Sequence, residues 1–221
     1  MKDEQASNRV SHAITSCGPA QWSGRRTVHV RHLDCGYCCC VQEAGKRECG
    51  ALRLRIGGLT RTELRNELRS RGVLLNAHAE TLLDHCVFDR RDPEEISVIE
   101  RGVGDLGLRA GATLMAVFAA ADERGLALCP PDTGPYLRLA MASQANAPDS
   151  VLSAGRSPAG ALNVASAPLS DDVEFPKGFY LRVVDGQRWL RGFRCDDDYV
   201  FSPEVRFAFR MPSAVAGEKR P

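Results

Sequence analysis

The stretch "FYLRVVDGQRWLRGFR", residues 179 to 194, predicts two short strands joined by a tight turn. Apolar and polar residues alternate on both sides of Asp185-Gly186, and an Asp-Gly pair in such a setting is typical of a two-residue β-hairpin turn. We therefore predict a twisted antiparallel hairpin with one packed face. The alternating residues are Phe179, Leu181 and Val183 before the turn, and Trp189, Arg191 and Phe193 after it.

Other strand-like segments surround this hairpin and make residues 134 to 211 a β-rich part of the chain. "ALNVASA" precedes the hairpin and "VRFAFRM" follows it. "YLRLAM", Tyr136 to Met141, is a further strand candidate at the start of the part. Their β-branched and aromatic residues, bounded by Gly, Pro, Asp and Ser, are typical of short strands.

Helix signals dominate residues 51 to 130, between the strand-like segments "LRLRIGG" and "ISVIERGV". Thr60 and Glu63 form a capping box at the start of a first helix, which Gly72 ends. Asn76 caps a second helix, and a third extends from Thr113 to Arg124. The predicted fold class is α+β, with a helical first half of about three helices followed by a β-rich antiparallel C-terminal half. One domain would cover residues 51–213, with a disordered tail at 214–221.

Residues 1–50 show neither helical nor strand periodicity, and we predict a poorly ordered, cysteine-rich N-terminal arm. Its first residues lack the apolar run of a signal peptide. The longest strongly apolar stretch, "LMAVFAAA", is far shorter than the ~20 residues that cross a bilayer. We therefore expect a cytoplasmic protein with no membrane partner.

Composition and motifs narrow the function classes. The 221 residues are 43% apolar and 26% charged, and their formal net charge of +1 argues against bulk attraction to nucleic acid or anionic lipid. The sequence contains no Walker loop, GxGxxG, GxSxG or HExxH motif, which familiar nucleotide enzymes and hydrolases would show.

Nine cysteines raise the question of a metal site, and six of them lie before residue 50. "HLDCGYCCC", residues 32 to 40, contains Cys35-x-x-Cys38 with an intervening glycine, one half of a zinc knuckle. A zinc ion would be held by Cys35, Cys38 and Cys49 with His32 or one further cysteine. The alternative, which we favour, is a thiol-rich arm without a structural site. Cys86, Cys129 and Cys195 lie beside apolar residues and are interpreted as small core residues.

Two resemblances accompany these patterns. "CPPDTGPYLRLAM" and the segment from "SPAGALNVASA" to "RWLRGFR" look similar to a group of bacterial proteins of unassigned activity. "LTRTELRNELRSRGVLLNAHAETLL", Leu59 to Leu83, resembles the SAP motif, a helix–loop–helix element associated with DNA binding. That resemblance implies phosphate contacts from a basic stripe on the first helix, although Ala77 and Ala79 replace the motif's usual glycine and lysine. The alternative is a solvated face of mixed charges. The stripe comprises Arg61, Arg65, Arg69 and Arg71.

The functional prediction is a non-catalytic binding or regulatory module that acts through its β-rich half on a protein partner. Tyr, Trp and Arg dominate binding hot spots, and the hairpin is rich in them. Nucleic-acid binding through the SAP-like segment is the first alternative. An enzyme of unrecognised type is the second, with Cys129 and Cys195 as candidate nucleophiles. The candidate binding residues are Tyr180, Arg182, Trp189, Arg191 and Arg194.

Overall fold

The computed structural model describes residues 30–31, 50–89, 92–147 and 157–212. Two short 3₁₀ turns, Cys86–Phe88 and Gly104–Leu106, accompany its helices and strands. The helices are α1 (Arg61–Ser70), α2 (Ala77–Leu83), α3 (Leu114–Asp122) and α4 (Thr133–Ala140). The strands are β1 (Val30–Arg31), β2 (Leu52–Ile56), β3 (Val73–Leu75), β4 (Glu94–Gly102), β5 (Ala112–Thr113), β6 (Leu162–Val164), β7 (Gly178–Val184), β8 (Gln187–Phe193), β9 (Val200–Phe201) and β10 (Arg206–Met211).

Within those residues, eight strands form one mixed sheet in the order β1-β2-β4-β10-β6-β7-β8-β3. Neighbouring strands are antiparallel except β10 with β6 and β8 with β3, which are parallel. β5 and β9 form a separate two-stranded ribbon. The four strands β10, β6, β7 and β8 of the second half of the chain therefore lie together, between β4 on one side and β3 on the other.

The predicted division into a helical first half and a β-rich second half is wrong. β4, with nine residues, lies in the first half and pairs with β2 on one side and β10 on the other. α4 lies in the half that was predicted to be β-rich. The architecture is a mixed α/β fold with a β-rich body. The prediction failed because helix caps are local signals, whereas strand pairing joins segments more than a hundred residues apart.

The strand predicted at "YLRLAM" is also wrong, because Tyr136 to Ala140 belong to α4. Every residue of this helix from Thr133 to Leu139 is buried, so the segment has no polar face to reveal a helical period. Pro135 lies in the first turn, where a missing backbone N–H costs little. A short apolar run of this kind fits a buried strand and a buried helix equally well.

The capping predictions are confirmed. The side chain of Thr60 accepts a hydrogen bond from the backbone N–H of Glu63, and the Glu63 carboxylate accepts one from the N–H of Thr60. Asn76 caps α2 in the same manner. Thr113, which was predicted as the first residue of the third helix, is its N-cap. These side chains satisfy N–H groups that have no partner within the helix, which is why their positions could be predicted.

Two hydrophobic cores lie on opposite faces of the sheet. On the first face, α1, α2 and α4 cover residues such as Leu54, Val98 and Leu181. On the second face, α3 and the β5–β9 ribbon cover Ile99 and other residues near β4 and β10. The second face also extends over β6, β7 and β8.

The hairpin at Asp185-Gly186 is confirmed, but the prediction of one packed face is wrong. Asp185 and Gly186 both have positive φ, 49° and 73°, as a type I′ turn requires. Every residue of β7 is buried, so both faces of the strand are covered. The register pairs Tyr180 with Arg191 and Arg182 with Trp189. The prediction placed Trp189 and Arg191 opposite Phe179 and Leu181. The register instead places them on the other face of the hairpin, with Tyr180 and Arg182.

Candidate functional site

A cleft of about 520 Å³ opens on the second face of the sheet, where β7 and β8 meet the segment that leads to β9. Four aromatic rings line it, and we call it the aromatic cleft. Its volume lies in the range of protein sites that bind small molecules or single side chains. The rings belong to Tyr180, Phe193, Tyr199 and Phe201.

The rings pack against one another at steep angles. The Tyr180 and Phe193 centroids are 6.5 Å apart with planes at 56°, and those of Phe193 and Phe201 are 6.2 Å apart at 83°. Tyr199 and Phe201 lie 4.8 Å apart at 84°. Phe201 is 2% exposed and rests on Phe207 of the second core, 5.3 Å away. The aromatic wall is thus continuous with the core, which fixes its shape.

Polar groups complete the lining. Asn163 is buried, and its side-chain amide donates to the carbonyl of Arg206 at 3.2 Å. Arg194 forms an ion pair with Glu174 at 2.5 Å. Asp196 lines the cleft and begins a run of three exposed carboxylates that continues through residues 197 and 198. The side of the mouth that Asp196 lines is therefore acidic, and the guanidinium of Arg194 is already paired with Glu174.

Cys195 and His78 both line the aromatic cleft, so the fold brings a thiol and an imidazole to one site. Burial raises the pKa of the Cys195 thiol. Lys177 opposes this with a smaller effect, and Asp196 and Asp197 add still smaller increases. A nucleophilic cysteine needs a lowered pKa, because the thiolate is the reactive form. This environment favours the unreactive thiol.

Of the five predicted binding residues, Tyr180 and Arg194 line the cleft. Trp189 and Arg191 are half-buried on the same face of β8, with the Arg191 guanidinium 4.1 Å from the centroid of the Trp189 ring. Arg182 is 1% exposed, and a side chain so deeply buried serves the fold. Two predicted residues thus belong to the cleft and two extend its surface along β8.

The arginines of the SAP-like segment all have partners within the protein. Arg65 forms ion pairs with Glu80 and, at 2.7 Å, with Asp84. The remaining contacts are Arg61 with Asp89 at 2.6 Å, Arg71 with Glu67 at 3.0 Å, and Arg69 with Asn66 at 3.0 Å. The contacts of Arg65 and Arg61 join α1 to α2 and to the residues after it, whereas those of Arg69 and Arg71 are made to residues of α1 itself.

The cysteines differ in their surroundings. Cys129 is buried, as predicted, and its thiol donates to the carbonyl of Ala208 at 3.5 Å. Cys86 is exposed, so the prediction of a core residue is wrong there, and Cys195 is of intermediate exposure. The candidate zinc ligands His32, Cys35, Cys38 and Cys49 lie outside the described residues.

The described part of the chain shows neither a metal-binding cluster nor a membrane-spanning helix. It contains no group of three or more His, Cys, Asp or Glu side chains arranged to hold a metal ion. None of its helices has the length and apolar character needed to cross a bilayer.

Sequence reasoning missed several lining residues: His78, Asn163, Tyr199 and Phe201. Asn163 lies in the three-residue strand β6 and Phe201 in the two-residue strand β9, which are too short to show a period. The aromatic pair after three aspartates, "DDDYVF", is the one local signal that could have pointed to the cleft. Comparison of the chain with models of protein families, with curated proteins and with solved structures finds no match.

Proposed function

We propose that this protein is a non-catalytic binding module that holds a segment of another protein in its aromatic cleft. The observation that carries the proposal is the cleft itself, a concave site on the β-rich body with a wall of closely packed rings. Rigid aromatic residues in a pocket are typical of binding hot spots, since they offer large contact area at little entropic cost.

The surface beyond the cleft favours a chain segment over a compact small molecule. Trp189 and Phe193 lie on the same face of β8, four residues and therefore about 13 Å apart. Leu74, which is 39% exposed, pairs with Trp189 across β3 and β8. A strip of apolar and aromatic surface, with the Arg191 guanidinium stacked on Trp189, thus leads from the cleft to the edge of the sheet, where an extended peptide of about four residues would fit.

The site offers little support for covalent chemistry. Its thiol is held in the protonated form, and its guanidinium is paired with Glu174. The cleft instead supplies shape and charge complementarity to a ligand. Both are requirements for binding.

A random peptide library displayed on phage and selected on the immobilised full chain tests the proposal. We expect selected peptides to lose at least tenfold in affinity for Tyr199→Ala, which removes a ring that lines the cleft. The control is Met115→Ala, on α3, where the side chain is 65% exposed and far from the lining residues in sequence. Circular dichroism and thermal melting confirm that each variant is folded. Peptides that bind Tyr199→Ala as tightly as they bind the parent protein would refute the proposal.

A further inference from the structure

We infer that the aromatic cleft recognises an alkylated ammonium group, of the kind that a methylated lysine side chain presents. This inference rests on the proposed function, since it names the chemistry of the segment that the cleft holds. It follows from the planes of the rings and from the charges at the mouth.

The rings bound the cavity in more than one plane. Successive neighbours among Tyr180, Phe193, Phe201 and Tyr199 are inclined at 56°, 83° and 84°. The face of an aromatic ring carries partial negative charge and attracts a cation within about 6 Å of its centroid. Phe193 and Tyr199 are half-buried and present ring surface to the cleft, whereas Tyr180 and Phe201, 7% and 2% exposed, lie largely covered behind them. The rings of Phe193 and Tyr199 therefore attract a cation in the cleft, and proteins use such aromatic surfaces for quaternary ammonium groups.

The charges at the mouth have the matching sign. Asp196 lines the cleft, and Asp197 and Asp198 follow it on the surface. Against these three carboxylates, the Arg194 guanidinium is balanced by Glu174 at 2.5 Å. Lys177, which is buried, is the further cation whose charge reaches Cys195. Lys177 affects the pKa of Cys195 more than Asp196 or Asp197 does, and Arg182 and Arg191 lie beside Tyr180, so the negative charge is confined to the exposed side of the mouth. There the carboxylate of Asp196 attracts a cationic ligand.

Alkylation of the ammonium distinguishes this ligand from an ordinary lysine. An unmodified lysine ammonium is a compact, strongly hydrated charge with three N–H donors. Contact with the carbon atoms of a ring removes water from these donors and offers no hydrogen bond in return. Methyl groups replace those N–H donors and add apolar surface to the head group. The same rings therefore provide both dispersion contacts and attraction to the charge. The cavity of about 520 Å³ leaves room for the methylene stem beside the head group.

Two small probes of nearly equal shape separate charge from apolar contact. Choline carries a trimethylammonium group, and 3,3-dimethylbutan-1-ol carries a tert-butyl group in the same position without the charge. Both are titrated into the ¹⁵N-labelled full chain, with amide shifts read at Gly192, Phe193 and Cys195. We expect choline to bind at least tenfold more tightly than the neutral probe, with the shifts confined to the cleft.

Variants identify the groups responsible. Tyr199→Leu should weaken choline binding at least fivefold, whereas Tyr199→Phe, which keeps the ring, should retain it. Asp196→Asn should weaken choline binding and leave the neutral probe unaffected, and added salt should have the same effect because it screens the carboxylates.

The outcomes separate this inference from the proposed function. Equal binding of the two probes, or choline binding that survives Tyr199→Leu, overturns the ammonium inference. So does the absence of choline binding when the peptide selection yields cleft-dependent peptides without a cation. The proposed function fails separately, if peptide binding is insensitive to the cleft variants.

Discussion

The side-chain amide of Asn76 forms two hydrogen bonds with the backbone of Gly192, 116 residues away. Its Nδ2 donates to the glycine carbonyl at 3.0 Å, and its Oδ1 accepts from the glycine N–H at 2.8 Å. The same Oδ1 caps α2 by accepting from the N–H of Ala79 at 2.9 Å. One side chain therefore starts a helix and attaches it to the sheet beside the aromatic cleft, which both residues line.

Replacing Asn76 tests this double role. Asn76→Ala should lower the free energy of unfolding by about 2–3 kcal/mol, since a lost N-cap costs about 1 and each lost hydrogen bond about 1. Asn76→Asp should cost less, because the carboxylate still caps α2 and still accepts from Gly192. Urea denaturation of the three proteins measures the differences. Equal losses for the two variants would show that the cap and the accepted bond contribute little.

Gly192 is predicted to tolerate no side chain. A Cβ at this position would lie 2.6 Å from the carbonyl carbon and 2.8 Å from the carbonyl oxygen of His78, which are backbone atoms that cannot move without shifting α2. We expect Gly192→Ala to lower the free energy of unfolding by about 1–3 kcal/mol. Gly178→Ala is the matched control on the same hairpin, because its Cβ would meet the ring of Phe193 at 3.2 Å, and a ring can turn. A Gly178 variant that loses as much as the Gly192 variant contradicts the close approach of α2.

The contrast between Thr60 and Tyr136 shows what the sequence could predict. Thr60 caps a helix through residues three positions away, so its role is visible in a short window. Tyr136 sits in a helix without a polar face, and its hydroxyl donates to the carbonyl of Gly57 at 2.8 Å, 79 residues distant. Local caps and the turn at Asp185-Gly186 were predictable because their partners are adjacent in sequence.

The site was predictable in part for the same reason. Tyr180 and Arg194 belong to the hairpin, whose composition marked it as a binding surface. Their partners in the cleft show no periodic pattern, since Phe201 reaches it from a two-residue strand and His78 from the first turn of α2, and only the sequence "DDDYVF" gave a local signal. The mixed sheet was not predictable either, because β10 and β4 pair although they lie more than a hundred residues apart in the chain.

The arginines of α1 provide a test of the nucleic-acid alternative. Arg65 contacts Glu80 and Asp84, so Arg65→Ala should lower the free energy of unfolding by up to about 1 kcal/mol. Arg69→Ala is the control, because its contact is with Asn66 of the same helix. We expect no duplex DNA binding in gel shifts at physiological salt. Binding that falls steeply with salt and is lost on charge reversal at positions 61, 65, 69 and 71 would instead support phosphate contacts.

The cysteine-rich sequence before residue 50 carries a prediction about zinc. Protein purified without chelator should contain no stoichiometric zinc by elemental analysis, since the Cys35–Cys38 pair lacks a second close pair of ligands. The thiols should react with an alkylating reagent at the same rate in the parent protein and in Cys49→Ser. About one zinc per chain, lost in that variant, would contradict this prediction and identify the ligand set.

The buried thiol of Cys129 should make stability depend on alkaline pH. Burial raises the pKa of this thiol from 9.0 to about 12, against smaller opposing effects of Thr133 and Arg210. The folded state therefore keeps the proton up to about pH 12, whereas the unfolded chain releases it near pH 9. Above that point the unfolded state binds fewer protons, so the free energy of unfolding falls as pH rises. At about pH 10.5 the loss should reach about 2 kcal/mol, at 1.4 kcal/mol per pH unit.

Urea denaturation at neutral pH and at about pH 10.5 measures this loss, and two variants isolate its source. Cys129→Ala removes the titrating group, so its stability should fall by about 2 kcal/mol less over the same interval. Cys86→Ala is the control, because Cys86 is exposed and its thiol meets water in both states. Other groups that ionise in this range contribute equally to all three proteins and cancel in the comparison. A Cys129→Ala variant with the same pH dependence as the parent protein would show that the thiol is not held in its protonated form by the fold.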